Sequence, residues 1–291
     1  MRSCLETANA LRPLLLAATI LLSIICLVSP RAAPPSPSPI VEIDLSKPFN
    51  TRSPWRLLAT QEPGVFEPVD PALIGSIRKG YTGSTVPGLI HLCLRKDATA
   101  PCDPGLVAMP QRPAPVQFYA WEPHYLNHAE LVYPHGPAGL PLLLLQTASD
   151  HSGDGDQAVF TQLLAYNRAH DRFAPIYAHV TGRNNNQEVR FIAAGLLHGS
   201  VISVEPTSDA PFDYWVTVDA FTPAFTYKQV LHYRSATHYN DGNPLAVIDS
   251  EMPNIERRLG LWRPGLPLPL PTSLAHPCQR PRLSHMELWC G

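Results

Sequence analysis

The segment Tyr214-Trp-Val-Thr-Val-Asp-Ala-Phe221 decides the fold class, because apolar and polar side chains alternate along it. A period of two is typical of a β-strand with one buried and one hydrated face. The segment Tyr227-Lys-Gln-Val-Leu-His-Tyr233 shows the same alternation after a short connection. We therefore expect two consecutive strands here, joined as a hairpin.

Four more β-branched, aromatic or leucine-rich runs precede this pair at near-regular spacing: Leu142–Ala148, Val159–Asn167, Val189–Ala194 and Ser200–Glu205. Within the first run Leu142–Leu145 is continuously apolar and follows Pro141, so a central strand buried on both faces explains it better than a helix. No segment resembles a crossover helix. The sequence therefore predicts an all-β fold, either an antiparallel β-sandwich or a propeller-like meander, with a barrel as a further alternative.

The N-terminal segment has the features of an export signal. Arg2 and Arg12 precede an uncharged apolar run, Leu14–Val28, and a few small residues follow it. As a helix this run would span about 22 Å, less than a hydrocarbon core of about 30 Å, which favours a signal peptide. A cut after Ala33 would put Arg31 at the −3 position, and a cut after Ala32 would put Pro30 there, although both sites favour small residues. A signal-anchor helix is therefore the alternative for residues 1–29.

Composition divides the rest of the chain into three parts. Residues 30–39 are rich in proline and are expected to form an extended linker. The predicted β domain covers residues 40–262, and residues 263–291 form a Pro-rich C-terminal tail. Export would place the domain in the periplasm or outside the cell. The alternative is an inner-membrane protein anchored through residues 14–28, which would be its only membrane contact.

The cysteines agree with an oxidising compartment. Two of the six lie in the predicted signal, which leaves an even set. This set is Cys93, Cys102, Cys278 and Cys290. The local pairing, Cys93 with Cys102 and Cys278 with Cys290, requires no long-range contact; four unpaired thiols are the alternative.

The net charge and the scattered Lys and Arg residues exclude one class of partner. The formal net charge is −2, the pI is about 6.6, and there is no run of Lys or Arg. Nucleic-acid binding requires clustered cations that replace phosphate counterions. We therefore expect no nucleic-acid partner.

The segment Asp150-His-Ser-Gly-Asp-Gly-Asp156 resembles the opening of a calcium-binding loop. Oxygen ligands at alternate positions point inward around a hard cation, and Gly155 permits the sharp turn. The four candidate ligands are Asp150, Ser152, Asp154 and Asp156. Over this stretch the chain is also similar to the Asp/Gly-rich loops of FG-GAP-type propeller blades. Thr161 stands where a helix-loop-helix calcium motif has a glutamate, so the expectation is a calcium loop within a β domain or, alternatively, a polar hairpin loop.

The segment Arg183-Asn-Asn-Asn-Gln-Glu-Val-Arg190 is a second polar cluster, and it leads directly into a predicted strand. Arginines and amides can bind a carboxylate, a sugar or a phosphate through forked hydrogen bonds. Arg183, Asn185 and Arg190 are therefore candidate ligand-binding residues. A long hairpin loop is the alternative, because asparagine tolerates left-handed backbone.

Asp249 and Glu251 form the one candidate catalytic pair. Two positions apart on a strand, they would share a face as the carboxylates of a hydrolase do. The chain has no Gly-x-Ser-x-Gly elbow, no Gly-x-x-x-x-Gly-Lys phosphate loop and no His-Glu-x-x-His zinc helix. The sequence therefore assigns no catalytic residue outside carboxylates of this kind.

Three classes of function remain. We expect a non-enzymatic module of the cell envelope that binds a protein or polymer partner. The alternative is a secreted hydrolase of a polysaccharide or ester, with acids drawn from Asp154, Asp249 and Glu251. A structural or assembly factor of the envelope is the third class.

We predict that calcium stabilises the chain from Ile40 onward if the predicted loop binds it. Calcium at a hundred times its dissociation constant would add about 2.7 kcal/mol to the free energy of unfolding. Thermal unfolding with excess calcium and with chelator measures this difference, and Asp154→Ala should abolish it. Identical melting curves would identify the loop as a polar hairpin.

Overall fold

Antiparallel sheets that follow one another along the chain make up most of the protein. The computed structural model describes residues 37–68, 83–110, 122–150, 157–183, 188–209, 212–238, 242–271 and 278–290. The predicted signal segment lies outside the described residues.

The first part of the chain forms a three-stranded sheet and a separate hairpin. Its elements are β1 (Ser38–Asp44), the short helix α1 (Ser46–Phe49), β2 (Arg56–Gln61), β3 (Val65–Pro68), β4 (Gly83–Val86) and β5 (Ile90–Arg95). Strands β1, β2 and β5 pair in that order as the first sheet, and β3 pairs with β4.

Two four-stranded meanders form the second and third sheets. The second sheet contains β6 (Tyr125–Val132), β7 (Leu142–Ala148), β8 (Gln157–Asn167) and β9 (Arg172–Arg183). The third contains β10 (Glu188–Phe191), β11 (Val201–Pro206), β12 (Asp213–Phe221) and β13 (Tyr227–His238). Strands adjacent in sequence pair antiparallel throughout. The predicted antiparallel all-β class and all six predicted strands are confirmed; β6 and β9 come in addition.

The second sheet packs against both of the others, and the leucine run of β7 shows how. Leu143 and Leu145 belong to a core shared with the first sheet. Leu142 and Leu144, on the opposite face, belong to a core shared with the third sheet. All four are at most 6 % exposed. The prediction of a strand buried on both faces is therefore confirmed.

The other face of the third sheet is covered by helix α2 (Val247–Arg258). Ile248, Met252 and Ile255 of the helix pack in one core with Val216 and Val218 of β12. The third sheet thus has a helix on one side and the second sheet on the other.

The prediction that Asp249 and Glu251 lie on a strand is wrong, because both belong to α2. The apolar positions Ile248, Met252 and Ile255 recur every three or four residues, which is the spacing of a buried helix face rather than of a strand. Positions two apart on a helix do not face each other. The shared face required for a carboxylate pair is therefore missing.

A C-terminal hairpin packs on α2. It consists of β14 (Arg282–Ser284) and β15 (Glu287–Trp289). Leu288 is fully buried, and its carbonyl accepts a hydrogen bond from Asn243 Nδ2 at 3.0 Å. This hairpin lies within the segment expected as a Pro-rich tail.

Two disulfides have the predicted local pairing, Cys93 with Cys102 and Cys278 with Cys290. They indicate a non-cytosolic, oxidising compartment. Among the helices that the structure describes, none has the length and apolar character needed to cross a bilayer.

The turn between β8 and β9 ties the second sheet to the first through Asp171. Its carboxylate accepts hydrogen bonds from Ser53 Oγ at 2.6 Å, Tyr166 Oη at 2.7 Å, Trp55 Nε1 at 3.0 Å and Lys96 Nζ at 3.0 Å. Burial raises the pKa of this carboxyl, but the four donors outweigh burial and hold the pKa well below its usual range.

We predict that Asp171→Asn lowers the free energy of unfolding by about 3 kcal/mol at pH 7, because the donors lose a charged acceptor. A depressed pKa stabilises the fold above the unfolded-state pKa of about 4, and this contribution is lost as the pH falls further. Urea denaturation at a series of pH values should therefore show the two proteins converging below about pH 4.

Asp209→Asn is the matched control, because the Asp209 side chain is 69 % exposed and lies 3.6 Å from its nearest cation. This variant should unfold as the wild type does. An Asp171→Asn difference that stays constant down to pH 3 would contradict a role for the ionised carboxylate.

Candidate functional site

A cleft of about 920 Å³ lies between the second and third sheets. One wall comes from β6, β7, β8 and β9, and the other from β10 and the connection that follows it. Its polar lining consists of Asn127, His128, Glu130, Tyr133, Gln146, Thr161, Thr181, Glu188, Arg190 and His198. Its apolar lining includes Leu131, Val132, Leu144, Val159, Val189 and Phe191. A mixed lining and this volume are typical of small-molecule sites.

The second sheet carries a row of polar side chains along this wall. His128 pairs in register with Gln146, Gln146 with Thr161, and Thr161 with His179. Residues directly opposite each other on neighbouring strands point to the same face of a sheet. The row therefore continues the face that Leu144 presents to the third sheet.

Gln146 connects both walls of the cleft. Its Nε2 donates to Thr161 Oγ1 at 2.9 Å and to the backbone carbonyl of Val189 on β10 at 3.3 Å. Its Oε1 accepts a hydrogen bond from Asn127 Nδ2 at 3.3 Å. One side chain thus fixes the spacing between four strands where the apolar core gives way to the cleft.

Gly199 fixes the two connections at one end of the cleft. Its φ is +85°, and a Cβ at this position would lie 2.4 Å from the carbonyl oxygen of Pro134 in the β6–β7 connection. Tyr227 Oη donates to the Gly199 carbonyl at 3.0 Å. Only glycine permits this approach, which brings the neighbouring His198 to the cleft.

A hydrogen bond between side chains joins the second and third sheets beside the cleft. His179 Nε2 lies 2.6 Å from Glu205 Oε1 of β11. The hydrogen bond from His179 is the main reason that the pKa of Glu205 lies below its ordinary value. The contact links the polar row to the third sheet.

Arg190 is the only Lys or Arg among the described residues that line the cleft. Its guanidinium donates to Asp249 at 2.6 and 3.2 Å and to Glu188 at 2.5 and 2.9 Å. Burial lowers the pKa of Arg190, but the hydrogen bonds to these carboxylates outweigh burial and raise it. Two carboxylates therefore neutralise the cation and tie β10 to α2.

Only part of the predicted calcium loop is described. Asp150 follows β7, and the raised pKa of Tyr125 reflects burial first and the Asp150 carboxylate second. Ser152, Asp154 and Asp156 lie outside the described residues. Among the residues described, no three His, Cys, Asp or Glu side chains are arranged to hold a metal. The calcium site stays a prediction.

The predicted ligand-binding set is likewise described in part. Arg190 lines the cleft with the partners given above. Arg183 ends β9, but its side chain and Asn185 lie outside the described residues. Gln157 pairs in register with Arg183, so the strand ends that lead into the two predicted loops are neighbours. Ligand binding by this set also stays a prediction.

Glu251 is fully buried and fully engaged in α2 packing. It accepts hydrogen bonds from Tyr233 Oη at 2.6 Å, Thr237 Oγ1 at 2.9 Å and Asn254 Nδ2 at 2.9 Å. Burial first and the Glu251 charge second raise the pKa of Tyr233. With Asp249 bound to Arg190, both members of the candidate catalytic pair act in holding α2 to the third sheet.

Gln146, Thr161 and Thr181 were not predicted from the sequence as residues of a binding site. The sequence did contain a pattern that points to Gln146, because this residue follows Leu142 and Leu144 in the same alternation on a strand that is otherwise buried. A polar residue in a buried row requires a partner, which marks the position as unusual.

Comparison with models of known protein families, with curated proteins and with solved structures finds no match for this chain.

We predict that Arg190→Met lowers the free energy of unfolding by about 3–5 kcal/mol, because it leaves two carboxylates, one of them buried, without a cation. The double variant Arg190→Met/Asp249→Leu should recover most of this loss, since a buried pair replaced by apolar groups is often neutral. Urea denaturation measures both.

Arg172→Met is the control, because Arg172 is exposed and is not part of this cluster. It should leave stability unchanged. An Arg190→Met variant as stable as this control would contradict a structural role for the cluster.

Proposed function

We propose that the chain is a non-enzymatic binding module of the cell envelope that takes its partner, a protein or a polymer, in the cleft between the second and third sheets. The observation that carries this proposal is the state of the charged groups around the cleft. Arg190 is neutralised by Glu188 and Asp249, and Glu251 is buried among donors. Arg190, Glu188 and Asp249 are bound to one another, and Glu251 lies in the α2 packing outside the cleft lining, so these four groups do not offer acid–base chemistry to a partner in the cleft.

Two observations support the proposed compartment of this module. The disulfides favour an oxidising environment, and the N-terminal sequence has the features of an export signal. We therefore place the module in the periplasm or outside the cell, with anchoring through residues 14–28 as the alternative.

We also propose a propeller-like array rather than a two-sheet sandwich. Three sheets pack face to face in chain order, and the middle one is buried on both sides. The outer face of the first sheet is polar and carries an ion pair of 2.7 Å between Arg56 and Glu42, and helix α2 covers the third sheet. Both features support an array that ends with the first sheet on one side and with the third sheet and its helix on the other.

The hydrolase alternative is retained as an outcome of the test. It requires Asp249 and Glu251 to exchange their present partners for substrate, which would leave Tyr233 without its carboxylate acceptor and Arg190 with Glu188 alone.

A pair of alanines allows the cleft to be blocked selectively. Ala193 and Ala194 are both exposed neighbours, and only Ala193 lines the cleft. We predict that the full-length chain co-sediments with insoluble cell-envelope material, that Ala193→Trp reduces the bound fraction at least fivefold, and that Ala194→Trp leaves it unchanged. Soluble reducing ends and released acids, measured in the same samples, should not exceed those in samples without protein.

Equal binding by both tryptophan variants would move the binding site away from the cleft. Release of reducing ends or acids that Glu251→Gln abolishes, with the variant still folded, would replace the binding module by the hydrolase.

A further inference from the structure

This inference rests on the proposed function and concerns the ligand class. We propose that the cleft selects an uncharged, hydroxyl-rich ligand, and that a neutral polysaccharide segment fits it best.

The charge balance of the cleft excludes anions. Arg190, the single cation that lines the described cleft, already has Glu188 and Asp249 as partners. Glu130 adds a carboxylate whose Oε1 lies 2.9 Å from His128 Nδ1. An entering carboxylate or phosphate would lose its water without gaining an unpaired cation and would meet carboxylates on both walls.

A cationic ligand would gain little more binding energy from the cleft than an anionic one. The Glu130 side chain is 53 % exposed, so water and salt screen its attraction for a charged ligand. Glu188 is already bound to Arg190. Neither an anionic nor a cationic ligand therefore gains strong binding energy from charge in this cleft.

Neutral hydrogen-bonding groups supply the recognition instead. Thr181 lines the cleft and is 5 % exposed, and its hydroxyl has no hydrogen-bond partner among the described residues. Such an unpaired buried group costs free energy that a ligand hydroxyl can recover. A hydroxyl both donates and accepts, so it can satisfy Thr181, the Asn127 amide and the His198 imidazole alike.

The apolar lining fits the other faces of a sugar ring. Leu144 and Val189, with Phe191 packed against them, add an apolar part to the lining beside the polar groups. A pyranose has hydroxyls at its edge and C–H groups on its faces, and it matches such a mixed lining better than a purely polar or purely apolar ligand. At about 920 Å³ the cleft lies at the upper end of small-molecule sites, which leaves room for more than one ring.

Oligosaccharides that differ mainly in charge test this directly. Titration calorimetry of the full-length chain would use tetra-N-acetylchitotetraose, cellotetraose and maltotetraose as neutral probes, the chitosan tetramer as the cationic one and tetragalacturonate as the anionic one. At least one neutral probe should bind at least tenfold more tightly than either charged probe. Raising the salt concentration should change its affinity less than twofold.

Two conservative variants assign the contacts. Thr181→Val keeps the side-chain shape and removes the hydroxyl, and His198→Leu removes the imidazole; each should weaken binding of the neutral probe at least fivefold without lowering the melting temperature. Thr60→Val on β2 and His170→Leu in the β8–β9 turn do not line the cleft and should bind as the wild type does.

The outcomes separate the two proposals. Tighter binding of a charged tetramer, binding of no probe at all, or full affinity in both Thr181→Val and His198→Leu would overturn the ligand class. The proposed function would still stand if Ala193→Trp blocked envelope binding. Loss of that tryptophan effect would instead remove the cleft as the binding site.

Discussion

Burial of β7 on both faces is the constraint on which the rest of the structure depends. Full burial of a leucine contributes about 1.5–3 kcal/mol, and Leu142–Leu145 are all buried. Because their side chains alternate, no single sheet can cover them, and both the first and third sheets are required. The cleft begins where this run ends, since Gln146 continues the same face with a polar side chain.

The sequence predicted the strands whose local pattern agrees with their final environment. β7 and β12 show their burial in their residues alone, and the cysteine pairs required only short loops. β9 was missed because Pro175 interrupts it; the register shift opposite Leu163 and Leu164 accommodates the proline. The residues of α2 were predicted as a strand because the short segment around Asp249 does not show a helical repeat. The apolar positions of α2 repeat over a longer window.

The candidate site could be predicted only in part. Arg190 was identified from its charge and loop position, but its partner Asp249 lies 59 residues away in sequence. No local pattern shows that pairing, which changes the residue from a potential anion ligand into a support for α2. The register that aligns His128, Gln146 and Thr161 likewise emerges only when three strands pair.

The order of the layers has a consequence for how the chain folds. Each sheet packs against the sheets formed immediately before and after it in the chain, so docking can proceed from the N-terminus onward as the polypeptide emerges. One apolar face of the third sheet then stays uncovered until Ile248, Met252 and Ile255 of α2 pack against it. A nascent chain stalled before Val247 would expose that face to the solvent, so α2, which only the C-terminal hairpin follows among the described elements, protects the chain from aggregation.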